Sequence, residues 1–142
     1  MYYDGATLFA SATRTTAIAN SGGTPSVKVW RKAIFLLDVT AMAGAASDYL
    51  NVFIDVMAPD GATWLNAGHF TQVAGNGAAI KHYMVLDSTN VAATTFDVTT
   101  DCTSGVTKPY LTGPATRARY TLTDAGAHGQ SATFSVTAYF IR

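Results

Sequence analysis

Residues 33–41 read Ala33-Ile34-Phe35-Leu36-Leu37-Asp38-Val39-Thr40-Ala41, an apolar run that stops at an aspartate and a threonine. A half-exposed strand alternates apolar and polar residues; here apolar side chains point both ways, the pattern of a strand covered on both faces. AIFLLDV is therefore read as a central strand, and TAMAGAASD at 40–48 as a crossing loop of small residues.

Working outward, the chain reads as successive strands and turns. Residues 6–19 look extended and weakly amphipathic, an arm more than a core element, and lead into NSGGTP at 20–25. After the central strand, Leu50, Val52, Ile54 and Val56 share one face, and APDG at 58–61 supplies a turn in which Pro presets φ and Gly accepts a positive one. Trp64 to Val73 returns as the second strand of a hairpin. Following AGNG at 74–77, Ile80, His82, Met84 and Leu86 fall on one face, with Tyr83 and Val85 on the other. Residues 87–114 keep no period and hold two of the four prolines, which predicts a long connection with short pieces of order, one helical turn among them. At the end, Ala118, Tyr120 and Leu122 alternate with polar residues, as do Phe134, Val136, Ala138 and Phe140, and DAGAHGQ between them reads as the turn of a closing hairpin. The expected core contains Leu36, Val52, Ile54, Phe134 and Val136.

Composition agrees with an all-β chain. Its 142 residues make one ordinary domain, able to bury a real core. Glu is absent, Thr (21) and Ala (24) dominate, and the Glu/Lys repertoire of exposed helices is nearly missing. The expectation is a single-domain β-sandwich or jelly-roll-like barrel over 1–142, of about seven or eight mostly antiparallel strands. Residues 1–25 form an extended N-terminal arm and first strand, and 87–114 the long connection. Only 13% of residues are charged, nine of each sign, against 49% hydrophobic, so the surface is sparsely charged and suited to burial against neighbours. That balance argues against capture of a polyanion, so no nucleic-acid partner is expected. Cys102 stands alone, which precludes an intrachain disulfide and points to folding in a reducing cytosol. The N-terminus, MYYDGATLF, lacks the basic and apolar regions of a signal peptide, and no run approaches a membrane span.

Candidate chemistry fails test by test. His69, His82 and His128 have no His, Cys or carboxylate at a metal-ligand spacing, so no metal or other cofactor is expected. Asp60 lies in a turn, and Asp38, Asp55, Asp87 and Asp97 read as strand ends or outward positions, not as an acid–base pair. No Gly-x-Ser-x-Gly occurs, Cys102 has no neighbouring His, and GNG at 75–77 and AGAHG at 125–129 do not join a parallel strand to a helix. The chain is read as non-enzymatic, with no catalytic residue.

SATRTTAIANSGG at 11–23, then KAIFLLDVTAMAG at 32–44, resembles the opening of a group of small structural proteins of tailed bacteriophages, in which a Thr/Ser-rich strand containing R-T leads into a buried strand ending in DVTA. YLNVFIDVMAPDGATW at 49–64, ATRARYTLT at 115–123 and GQSATFSVTAYFI at 129–141 are similar to later strands of that group, so the resemblance spans most of the chain. The Thr-rich stretch 87–114 departs from it. The resemblance implies a capsid decoration or cement protein on the virion head surface, made in the bacterial host cytoplasm, that binds the major capsid protein and copies of itself as a homotrimer or homodimer. Tyr2, Tyr3, Leu8, Phe9 and Arg14 of the arm are the implied interface, through strand addition and aromatic area. On that view, deleting residues 1–12 leaves a folded domain that no longer assembles. A tail, connector or fibre-associated protein is the alternative. A further one is a carbohydrate-binding or host-adhesion module using Trp30, Trp64 and the tyrosines as a platform.

Overall fold

The computed structural model describes residues 3–21, 24–25, 30–89, 97, 100–108, 113–123 and 129–141, with residues 3, 24 and 25 as backbone only. Ten strands and no helix occur among them: β1 (Tyr3–Arg14), β2 (Ile18–Asn20), β3 (Thr24–Pro25), β4 (Lys32–Ala43), β5 (Tyr49–Met57), β6 (Trp64–His69), β7 (Val73–Ala74), β8 (Ile80–Asp87), β9 (Ala115–Thr123) and β10 (Ser131–Ile141). Seven are six residues or longer. Two antiparallel sheets result. Sheet A has the order β1-β10-β4-β8; sheet B has β2-β9-β5-β6, with β3 paired to β9 and β7 to β5. The domain is a β-sandwich with one core between its sheets.

β4 is central in its sheet, flanked by β10 and β8, but its two faces differ. Ala33, Phe35, Leu37 and Val39 are fully buried, whereas Ile34, Leu36 and Asp38 are only half-buried. Leu36 is thus corrected from core to outer face: the doubly apolar run marks a strand with one face inside and an apolar outer face as well. Val52, Ile54, Phe134 and Val136 are buried as expected. The strand continues to Ala43, and the chain then crosses to sheet B through a turn in which buried Asp48 accepts a hydrogen bond from the Ala45 N–H at 2.8 Å.

β5 and β6 form the expected hairpin, joined by a turn in which Asp60 Oδ1 accepts the N–H groups of Ala62 and Thr63, both at 2.9 Å. The expected closing hairpin is not one. The alternation of β9 and of β10 is as read, but β9 lies in sheet B and β10 in sheet A. Their apolar faces meet across the core, with the Tyr120 and Phe134 rings edge to face at 5.3 Å. Seven residues separate the strands, 124–130, enough to change sheets where a tight turn could not.

The N-terminal segment is extended, but it is not a free arm. β1 pairs with β10 from Tyr3↔Ile141 to Arg14↔Ala132, as the edge strand of sheet A. Leu8 and Phe9 are buried, and the Phe9 ring packs edge-on against Tyr120 at 5.5 Å and Phe134 at 5.9 Å.

Candidate functional site

Each sheet presents one outer face, and the two are built differently. On sheet B, outward-pointing Asn51, Phe53 and Asp55 of β5 are as buried as the inward-pointing residues between them. The cover comes from side chains of the neighbouring strands, with His69 stacked on Phe53 at 4.2 Å and Arg117 and Arg119 on Asp55, and these are tied in turn to residues 100–108 of the long connection. This strap runs beside β6, with His69 N–H to Val106 O at 3.0 Å, Gly105 N–H to His69 O at 3.0 Å and Lys108 N–H to Ala67 O at 2.8 Å, and so adds a short further rung to the sheet. Cys102 then turns onto the face, donating its N–H to Asn66 Oδ1 at 2.8 Å, while its carbonyl lies 3.0 Å from His69 Nδ1.

Beneath the strap, Asp55 is 2% exposed and is the hub of a charge network. Its carboxylate accepts from Arg117 Nε at 3.0 Å, Arg119 Nε at 3.3 Å and Asn66 Nδ2 at 3.1 Å, and Arg119 also holds Asp101 of the strap through Nη1 at 3.1 Å. β-pairing explains the convergence: Asp55 is opposite Arg117 on β9, and Arg119 is two residues along the same face, opposite Phe53. Both guanidinium groups are stacked, Arg117 over Trp64 at 4.5 Å and Arg119 over Phe53 at 4.3 Å. Burial acts to lower the Arg119 pKa, but the bonds to Asp101 and Asp55 outweigh it and hold the group above its ordinary value.

The groups of this cluster are engaged with one another. Both ring nitrogens of His69 are engaged, Nε2 with Asn51 Oδ1 at 3.2 Å, and burial keeps its pKa below the ordinary histidine value. The Cys102 thiol is buried and its pKa is pushed up by that burial, the opposite of what a nucleophile needs. Among the described residues no group of three or more His, Cys, Asp and Glu side chains could hold a metal ion. The strap itself is invisible to pattern reading, because its cohesion lies in backbone bonds. One signal was available: a lone aspartate inside the apolar strand VFIDVM, with Arg-Ala-Arg on another strand.

Sheet A is uncovered on its outer side among the described residues. Register places Tyr139, Ile34 and Val85 in one row across β10, β4 and β8, and Thr137, Leu36 and Tyr83 in the next. Tyr83 is 75% exposed, Val85 41% and Tyr139 37%. The rows are flanked by two ion pairs, Lys32–Asp87 and Lys81–Asp38, each at 3.3 Å, so the patch is apolar at its centre and neutral at its margins. Contiguous exposed apolar surface of this kind marks interaction sites.

Three of the five residues expected to form the interface have described side chains, and they are placed on β1. Leu8 and Phe9 are in the core, and Arg14 is committed to its own sheet, donating to Phe134 O and Ala10 O at 2.6 Å each and stacking over Phe134 at 4.3 Å. Tyr2 and the Tyr3 side chain are outside the described residues. The two tryptophans do not form one platform either, since Trp30 is 1% exposed in the core and Trp64 is covered on one face by Arg117.

No protein-family model matches the chain, and no match was found among curated proteins or solved structures.

Proposed function

We propose that this protein is a non-enzymatic structural component of a bacteriophage virion, a decoration or cement protein that docks on the coat lattice and stabilises the head. The outer face of sheet A carries the reading: Ile34, Leu36, Tyr83, Val85 and Tyr139 leave apolar area open on one flat side of a domain with balanced charge. Such a face gains free energy when a second surface covers it, about 25 cal/mol per Å² of apolar area removed from water. A seam between coat subunits offers a surface repeated many times, so binding there couples a modest contact to the stability of the whole shell. The opposite face, with its strap and its satisfied ion network, serves as the stiff back of the domain. The resemblance of residues 11–44 to small phage structural proteins points the same way.

The test is co-sedimentation of the purified protein with coat shells, alongside Leu36→Lys and Tyr83→Lys, which place charge on the outer face without touching the core. The expected result is saturable binding, a raised shell melting temperature, and loss of both in the two variants. Binding unchanged in folded Leu36→Lys and Tyr83→Lys would overturn the assignment of this face, and absence of binding by the unaltered protein would overturn the function.

A further inference from the structure

We infer that the outer edge of β8 accepts an extended strand from a partner protein, antiparallel to β8. The inference stands apart from the virion reading, since it rests on the edge of sheet A and not on what covers its face. β8 pairs with β4 from Lys32↔Asp87 to Val39↔Ile80 without a register shift, and no described strand pairs with its other side. Every second residue of β8 therefore directs its N–H and C=O away from the sheet, with no strand to bond among the described residues. Edges are ordinarily guarded by bulges, proline or charged side chains. β1, the other edge of sheet A, has two register shifts; β8 has none and no proline, and its Lys81 and Asp87 are paired with Asp38 and Lys32 of their own sheet.

The space beside this edge is shaped for a strand. Gly68 of β6 lies beneath β8, so close that a Cβ there would meet Met84 Sδ. The strap pairs with β6 on the far side, through the bridge Gly68↔Thr107, so among the described residues sheet B extends one rung beyond sheet A. What remains is a ledge: a cleft of about 230 Å³ walled by His82 and Met84 above and by His69, Thr71, Gly105 and Thr107 below. One more strand in sheet A would occupy that level and close the open side of the sandwich. On the opposite side the chain itself makes the closure, passing from β1 in sheet A to β2 in sheet B within three residues.

The side chains of β8 state the partner's chemistry. On the outward face, Lys81 and Asp87 bracket Tyr83 and Val85. An antiparallel strand fits when it carries an acidic residue opposite Lys81, a basic residue opposite Asp87 and aliphatic residues between them. These continue the rows Asp38–Lys81 and Lys32–Asp87 with alternating sign. Its inward positions must be small or hydroxyl-bearing, because they face Thr71, Thr107 and His82 across a narrow cleft.

The probe is a capped heptapeptide, Lys-Thr-Val-Ala-Val-Thr-Glu, titrated into the full-length protein and followed by amide NMR. The expected shifts are confined to 80–87 and 105–108, with new exchange protection at alternate β8 amides. Exchanging the terminal Lys and Glu should weaken binding roughly threefold to tenfold through two mismatched cross-strand pairs, and N-methylation of the edge-facing amides should abolish it. Because every change is in the peptide, no variant of the protein has to fold. Shifts elsewhere, no shifts up to millimolar peptide, or equal binding of the exchanged peptide would overturn the inference. So would sedimentation velocity showing a dimer of the protein that the peptide dissociates, since a second copy would then hold the edge.

Discussion

Asp55→Ala is the sharpest probe of how the strapped face is held. The substitution removes the acceptor for Arg117 Nε, for one edge of Arg119 and for the Asn66 amide, at a site 2% exposed. Breaking a buried ion pair from one side costs about 3–5 kcal/mol, because the remaining charge is left desolvated. Two features reduce that here. Arg119 keeps Asp101, and the two arginine side chains, 20% and 16% exposed, retain some access to water. The expected loss is about 2–4 kcal/mol, equivalent to roughly 10 °C in melting temperature for a domain of this size. Asp38→Ala, which removes an acceptor from a lysine that is 69% exposed, should cost about 0.5 kcal/mol or less. The assay is urea unfolding of both variants, with Arg117→Ala and the Asp55/Arg117 double variant completing a cycle. A loss in Asp55→Ala no larger than in Asp38→Ala, or a coupling energy near zero, would refute the account of Asp55 as the hub.

Phe9→Ala should lower stability by about 3–5 kcal/mol in the same assay, and deletion of residues 1–12 should give an insoluble or unfolded product, because β1 supplies core side chains and an edge of sheet A. A folded, monodisperse deletion variant would restore the free-arm picture. Leu37→Ala should cost about 2–4 kcal/mol and Leu36→Ala no more than half as much, as measured by thermal unfolding; equal losses would mean both faces of β4 are core. His69 is held below its unfolded value of 6.5 by burial, so the unfolded chain binds the proton more readily. Stability should therefore fall as pH drops through 6.5 towards the folded value, and the slope of unfolding free energy against pH across that window should flatten in His69→Gln. An unchanged slope would place the titration elsewhere.

Strand identity was legible wherever one face is apolar and the other polar, as in β9 and β10, because burial on one side leaves period two in the sequence. Partner choice was not. The alternations of β9 and β10 suit two neighbours in one sheet and two strands facing across a core equally well, and only the reach of the 124–130 connection separates these cases. The run at 33–39 misled in a related way, since an apolar outer face and a buried second face give the same letters. For the N-terminal segment, weak amphipathicity concealed a full strand: its register shifts near Phe9 place Leu8 and Phe9 both inside, which breaks the expected period. The Asp55 network was hidden because its members come from β5, β6, β9 and the strap, far apart in the chain.

The pairing of β1 with β10 has a consequence for how the domain comes into being. β10 follows the other described strands in the sequence, yet it is the inner strand that joins β1 to β4. A chain emerging from the ribosome can form the β5–β6 hairpin early, but sheet A stays in two pieces until residues 131–141 have left the exit tunnel. Closure of this half of the sandwich therefore waits on its last strand and is governed by the slow closure of a loop nearly as long as the domain. During that interval the edges of β1 and β4 that β10 will join are both open, and a nascent chain is most exposed to wrong pairing. A circular permutant that links Ile141 to Tyr3, which lie opposite each other, and opens the chain in an exposed loop would turn this longest-range pairing into a local hairpin and shorten that interval.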